Sequence, residues 1–91
     1  MKIQITKKFE RSLKKYKQKH YDINKLFKAV ECIISQDKQR LISQYKDHAL
    51  VGNWKGYREL HIEGDWLLIY QIKQDTLILL LVDTGSHDDL F

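Results

Sequence analysis

The sequence predicts an α+β layer fold: a two-helix hairpin packed on one face of a four-stranded, mainly antiparallel sheet, in the order βααβββ. Three observations predict it. The start, "MKIQIT", alternates like a strand. Two amphipathic stretches follow with helical spacing. Three short apolar strands then come close together, joined by tight turns.

In "MKIQIT", Ile3 and Ile5 share a face, and Thr6 suits the N-cap of the helix that follows. In "KKFERSLKKYKQKH", Phe9, Leu13 and Tyr16 recur on one side, while Lys7, Arg11 and Lys14 fall on the other. Asp22 suits the N-cap of a second helix, "INKLFKAVECIIS", whose Ile23, Leu26, Phe27, Val30, Ile33 and Ile34 form a wide apolar face. A short connection makes the pair antiparallel. Residues 36–56 show no clear period and read as loop, punctuated by Gly52 and Gly56. "YRELHI" alternates, with Tyr57, Glu59 and His61 on one face and Arg58, Leu60 and Ile62 on the other. "EGD" is a tight turn in which Gly64 supplies a positive φ. "WLLIYQI", a "KQD" turn and "TLILLLV" complete an antiparallel meander, the last strand apolar enough for a well-covered position.

Ninety-one residues make one domain, residues 1–91, with a single modest core. An apolar share of 43% argues against disorder. The lone Cys32 makes no internal disulfide, which fits a reducing compartment. No secretory pattern opens the chain, and no apolar run nears the ~20 residues of a membrane span, so a cytoplasmic protein with no membrane partner is expected. The net charge of +4 is unevenly spread. Residues 1–45 carry 12 Lys/Arg against 4 Asp/Glu; residues 46–91 carry 4 against 8. A basic half of this kind suits a polyanion, nucleic acid above all, or a solvated lysine-rich helix face.

Four histidines are candidates for chemistry. His20 ends the first helix, where a cation-capable group suits the dipole. His48 precedes the sheet, His61 closes the second strand, Asp65 opens the third and His87 follows the fourth. Antiparallel connections return the fourth strand to the end of the sheet where His61 and Asp65 flank their turn. Singly, each has an ordinary use: a strand residue with one hydrogen bond, a turn aspartate, a loop cap. Together, three imidazoles and a carboxylate on one sheet edge point to a site. Imidazoles give and take protons near neutral pH. RNA carries its own nucleophile, the 2′-OH, so strand cleavage needs a base, an acid and cations for the phosphate, and no metal or cofactor. Trp54, Tyr57, Trp66 and Phe91 lie close in sequence to these groups, as aromatic platforms for single-stranded bases do. Zinc is the rival use of His48, His61, Asp65 and His87, but compact ligand spacing is missing and Cys32 sits on the apolar side of a helix. Gly-rich phosphate loops, G-x-S-x-G and C-x-x-C are also absent from the sequence.

"YKDHALVGNWKGYRELHI", "DWLLIY" and "TGSHDDLF", which span most of residues 45–91, closely resemble the YafQ branch of the RelE/ParE toxin superfamily. The resemblance implies a bacterial toxin that enters the ribosomal A site and cuts messenger RNA without metal. It implies a cognate DinJ/RelB-like antitoxin, and operator DNA bound only through the toxin–antitoxin complex. The family's site residues fall on His48, His61, Asp65, Trp66, His87 and Phe91. His48, His61, Asp65 and His87 would share the proton transfers, with His87 favoured as the acid; Trp66 and Phe91 would pack on a base or hold the site's shape. Lys7, Arg11 and Lys14 would grip ribosomal RNA.

One position departs from the family pattern. An arginine usually precedes the tail's Thr-Gly, and this chain has Asp83. Its charge opposes a phosphate, and losing one electrostatic stabiliser costs on the order of a hundred- to a thousand-fold in rate. Lys46, Lys55 and Arg58 are the expected substitutes. The alternative is a catalytically weakened binding module of the same fold, acting through its antitoxin or another target. ParE-type relatives target DNA gyrase but generally lack the histidine set. A small RNA-binding domain with structural histidines is the remaining reading.

Overall fold

The computed structural model describes residues 2–73 and 78–91. Strand β1 (Lys2–Ile5) leads into helix α1 (Lys7–Gln18), then α2 (Ile23–Ile34), a short α3 (Lys38–Ser43) and a two-residue strand β2 (His48–Ala49). A 3-10 turn (Gly52–Trp54) precedes β3 (Arg58–Glu63), β4 (Trp66–Lys73), β5 (Ile78–Gly85) and a one-turn α4 (His87–Leu90). The expected "KQD" turn and the first residues of "TLILLLV" fall partly outside the described residues.

The sheet has five strands in the order β1-β5-β4-β3-β2, with β1 parallel to β5 and the remaining pairs antiparallel. This corrects the expected four. The added strand, β2, is two residues long, too short to show alternation, and it lies in the stretch expected to be loop. The same stretch contains α3, a single six-residue helix whose one buried residue, Leu41, leaves no apolar period to read.

Both expected N-caps form. Thr6 Oγ1 accepts from Phe9 N at 2.9 Å and donates to the Val82 carbonyl at 2.5 Å, so the cap also ties α1 to β5. Asp22 accepts from Asn24 N at 3.1 Å. The turn before β4 uses Gly64 at φ +54, and the register slips between His61 and Glu63.

Strand β4 explains its own composition. Trp66, Leu68 and Tyr70 face the helices, with Phe9, Tyr16, Leu26, Ile33, Leu60, Leu79 and Leu81. Leu67 and Ile69 face the other way and pack with Leu90, flanked by Leu50, Trp54, Tyr57 and Val82. A strand covered on both faces reads as a continuous apolar run.

One buried polar knot joins the segment before β2 to the sheet. Asp47 receives Arg58 Nε at 2.8 Å and Nη2 at 2.7 Å, and the Tyr70 hydroxyl donates to its other oxygen. His61 N donates to Tyr45 O at 2.7 Å. A buried carboxylate is tolerable only when paired in this way. The knot fixes residues 45–48 and so delivers His48 to β3.

Candidate active site

His48 pairs across the strands with Glu59, and His61 lies two residues along β3 from Glu59, on the same face. The hairpin turn puts Asp65 beside His61, and β5 returns His87 to that end. His87 opens α4, whose N-cap is a capping box: Asp89 N donates to Ser86 Oγ, and Ser86 N donates to Asp89 Oδ2, each at 3.2 Å. Asp89 also accepts from the Tyr16 hydroxyl at 2.9 Å, anchoring α4 to α1; burial and this carboxylate push the Tyr16 hydroxyl up to about 12.

The structure therefore brings together four of the residues singled out in the sequence: His48, His61, Asp65 and His87. It adds one that was not singled out. The Nε2 atoms of His48, His61 and His87 lie 3.7, 3.6 and 4.0 Å from one oxygen, Glu59 Oε1, and Glu59 is 3% exposed. Alternation had already placed Glu59 on the face of His61; what the pattern lacked was any sign that the carboxylate is buried.

The other ring nitrogens point outward to defined partners. His48 Nδ1 meets Lys46 O at 2.9 Å and His61 Nδ1 meets Gly64 O at 3.3 Å. A carbonyl only accepts, so both Nδ1 atoms donate, and both Nε2 atoms carry the lone pair when the rings are neutral. His87 differs. Its Nδ1 meets Asp65 Oδ1 at 2.6 Å, and its backbone N donates to the same oxygen at 3.2 Å. The hydrogen bond to Asp65 raises the His87 pKa above the usual histidine value, with Glu59 and Asp88 reinforcing it; Asp65 is lowered in turn by its bonds from His87. Three imidazole Nε2 atoms thus face one buried carboxylate, and the ring of His87 alone is tied to a second, Asp65.

A path of rings leads away from the cluster. Centroids are 6.4 Å apart for His48–His61, 5.9 Å for His61–His87 and 6.2 Å for His87–Phe91, then 5.6 Å for both Phe91–Trp54 and Trp54–Tyr57. Phe91 is about half exposed. Exposed aromatic faces beside ionisable groups suit unstacked nucleobases.

Other expected site residues lie elsewhere. Trp66 is buried on the helix side, stacked on Tyr16 at 5.8 Å and donating to Thr84 Oγ1 at 2.9 Å, so it supports the sheet behind the cluster. Arg58 is committed to Asp47 on that same side. Lys46 and Lys55 are exposed on the flanking loop. Lys7, Arg11 and Lys14 are exposed along one stripe of α1. Asp83 is buried; its Oδ1 accepts from Thr84 N at 2.8 Å and its Oδ2 lies 3.6 Å from Lys8 Nζ. Among the described residues, no group of three or more His, Cys, Asp or Glu side chains is arranged to hold a metal ion.

Comparisons with known proteins place the chain in a family. The chain is 37% identical over 89 residues to the mRNA interferase toxin YafQ of Escherichia coli K12, covering 98% of this chain and 94% of that one. A metal-bound toxin from Helicobacter pylori superposes with a TM-score of 0.90 at 41% identity, covering 100% of this chain and 99% of that one. The E. coli DinJ–YafQ complex superposes at 0.84 and 37% identity, covering 98% of this chain and 96% of the matched one. The family model for YafQ, the bacterial toxin of type II toxin–antitoxin systems, matches residues 1–91, and the chain belongs to that family.

Proposed function

We propose that this toxin is an mRNA interferase that cleaves messenger RNA in the ribosomal A site by metal-independent acid–base catalysis. The observation that carries the reading is the convergence of three imidazole Nε2 atoms on Glu59, with His87 alone tied to a second carboxylate, Asp65. His48 or His61 takes the proton of the 2′-OH at Nε2. The 2′-oxygen then bonds to phosphorus, and the bond from phosphorus to the 5′-oxygen breaks. The His87 imidazolium gives its proton to that leaving oxygen. The products are a 2′,3′-cyclic phosphate and a 5′-hydroxyl. Buried Glu59 attracts the positive charge that develops on whichever ring has taken a proton. Phe91 and Trp54 hold the neighbouring base by stacking.

Lys7, Arg11 and Lys14 present a basic stripe to ribosomal RNA. Lys46 and Lys55, exposed on the segments before and after the strand that carries His48, would contact the RNA backbone nearby. The inhibitor is a cognate antitoxin of the DinJ/RelB type, and operator DNA is reached only through that complex. The cytoplasm is the compartment this activity requires; among the described residues no helix is long and apolar enough to cross a membrane.

Inducible expression with mapping of message 5′ ends tests the proposal. Growth arrest with codon-positioned cuts, lost in His87→Ala, is expected. Unaltered growth with intact messages contradicts it, and if the chain nevertheless binds ribosomes, it favours the binding-module reading.

A further inference from the structure

Asp83 sits awkwardly for an enzyme that acts on a phosphodiester. It pairs with Ile69, and Ile69 pairs on its other side with Glu59, the carboxylate beneath the imidazoles. Two strand spacings separate Asp83 from Glu59, roughly 10 Å. A bare carboxylate at that distance repels the substrate. The carboxylate is not bare: its side chain is 4% exposed, and one oxygen is taken by Thr84 N. The other faces Lys8 Nζ at 3.6 Å, and the Lys8 side chain is 60% exposed. A solvated anion approaching this point meets the ammonium, with the carboxylate beneath it.

The placement of Lys8 is built into the fold. Strand β1 ends at Ile5, Thr6 N donates to Leu81 O at 3.1 Å, and the Thr6 hydroxyl donates to Val82 O at 2.5 Å. These bonds set the first turn of α1 against β5 immediately before Asp83. The exposed stripe of Lys7, Arg11 and Lys14 runs on along α1 from the same turn.

We propose that Lys8, anchored by Asp83, is the cation that receives a phosphate of the bound RNA strand beside the imidazole cluster, and that Asp83 is its positioning residue. The inference rests on the reading of the cluster as an RNA-cleaving site. In it, the exposed ammonium of Lys8, rather than residue 83 itself, meets the phosphate, and the buried Asp83 carboxylate holds it there. The basic stripe of α1 and the imidazoles become one track for an RNA backbone.

The test is single-turnover cleavage of a ribosome-bound message, with melting temperature measured for each purified variant. His87→Ala serves as the reference for the parent reading. Lys8→Ala should slow cleavage by roughly 10- to 100-fold, somewhat less than the usual loss of one buried electrostatic stabiliser, because the ammonium is largely exposed. It should also reduce the slope of binding against salt by about one. Lys8→Ala also leaves the buried Asp83 carboxylate without its cation, so its melting temperature should fall, and rates are compared on the folded fraction. Lys8→Arg should stay within a few-fold of the parent. Asp83→Asn should slow cleavage less than Lys8→Ala does, and adding Asp83→Arg to Lys8→Ala should restore most of the rate. His87-dependent cleavage that Lys8→Ala leaves within two-fold of the parent overturns the inference while sparing the site, as does a folded double variant with no rescue. If the double variant does not fold, equal rates for Lys8→Ala and Lys8→Arg overturn it and a clear difference upholds it. Absence of His87-dependent cleavage in the parent chain removes the site itself, and the inference with it.

Discussion

On one face of the sheet, α1 and α2 seal Leu60, Leu68, Tyr70, Leu79 and Leu81 beneath Phe9, Tyr16, Leu26 and Ile33. On the other face the apolar cover shrinks to Leu67, Ile69 and Leu90 with their flanking rings, and beside it lie three imidazoles and a buried carboxylate. The first face has few polar groups, and those it has are paired: Asp47 with Arg58 and Tyr70, Thr84 with Trp66. The second leaves its ring nitrogens 3.6–4.0 Å from Glu59, too far for hydrogen bonds and near enough for charge to matter. Packing is concentrated where the helices lie, and the ionisable cluster where they do not. Strand β4 serves both faces by alternation. Substitutions on the two faces should therefore separate stability from activity.

The largest effect is expected in the sealed core. Leu68 is fully buried, and Leu68→Ala should cost about 2–5 kcal/mol of stability, read by chemical denaturation. The fraction that remains folded should still cleave. On the open face, Glu59→Gln removes the charge the imidazoles share. Cleavage should fall roughly 100-fold with little change in melting temperature. Phe91→Ala should weaken retention of the stacked base by about 1–3 kcal/mol, raising KM more than it lowers kcat.

Asp65→Asn gives the smallest effect and the most specific signature. Asp65 raises the His87 pKa, so an NMR titration of His87 in the variant should move to lower pH, and the alkaline limb of the rate profile should move with it. Stability follows the same sign. A raised histidine stabilises the fold fully below its ordinary value of 6.5, and the effect is lost as pH rises through the raised value. Lowered Asp65 contributes above its ordinary 3.8, and that contribution is lost as pH falls through the lowered value. The melting-temperature gap between parent and Asp65→Asn should therefore be widest between those two ordinary values and narrow at alkaline pH, where the bond from the His87 backbone N–H to Asp65 remains. A gap that is constant across this range contradicts the assignment of the pair.

The sheet-and-hairpin frame was legible because its signals are local: Thr6 and Asp22 as caps, Gly64 as the turn, alternation in β3. The meeting of His61, Asp65 and His87 was legible for a related reason, since antiparallel connections return the chain to the same end. Strand β2 was not, because two residues carry no period and the pairing of His48 with Glu59 depends on the distant Asp47–Arg58 knot. Glu59 had the right phase, but its burial comes from tertiary packing. Trp66 was expected from the family resemblance and from its neighbour Asp65 to pack on a base or hold the site's shape; the alternation of β4 turns it to the helix face, away from a base and behind the cluster. At Asp83 the residue type was informative, and its partner was not, because Lys8 arrives from α1, 75 positions earlier in the chain.

The division of labour between the faces is tested most directly by His87→Ala, with cleavage of a ribosome-bound message and thermal unfolding measured on the same preparation. The side chain of His87 is exposed, and its partner Asp65 is too. Cleavage should fall by roughly 100-fold or more while the melting temperature stays within about 5 °C of the parent. Cleavage retained within a few-fold, or lost only together with the folded structure, contradicts the account.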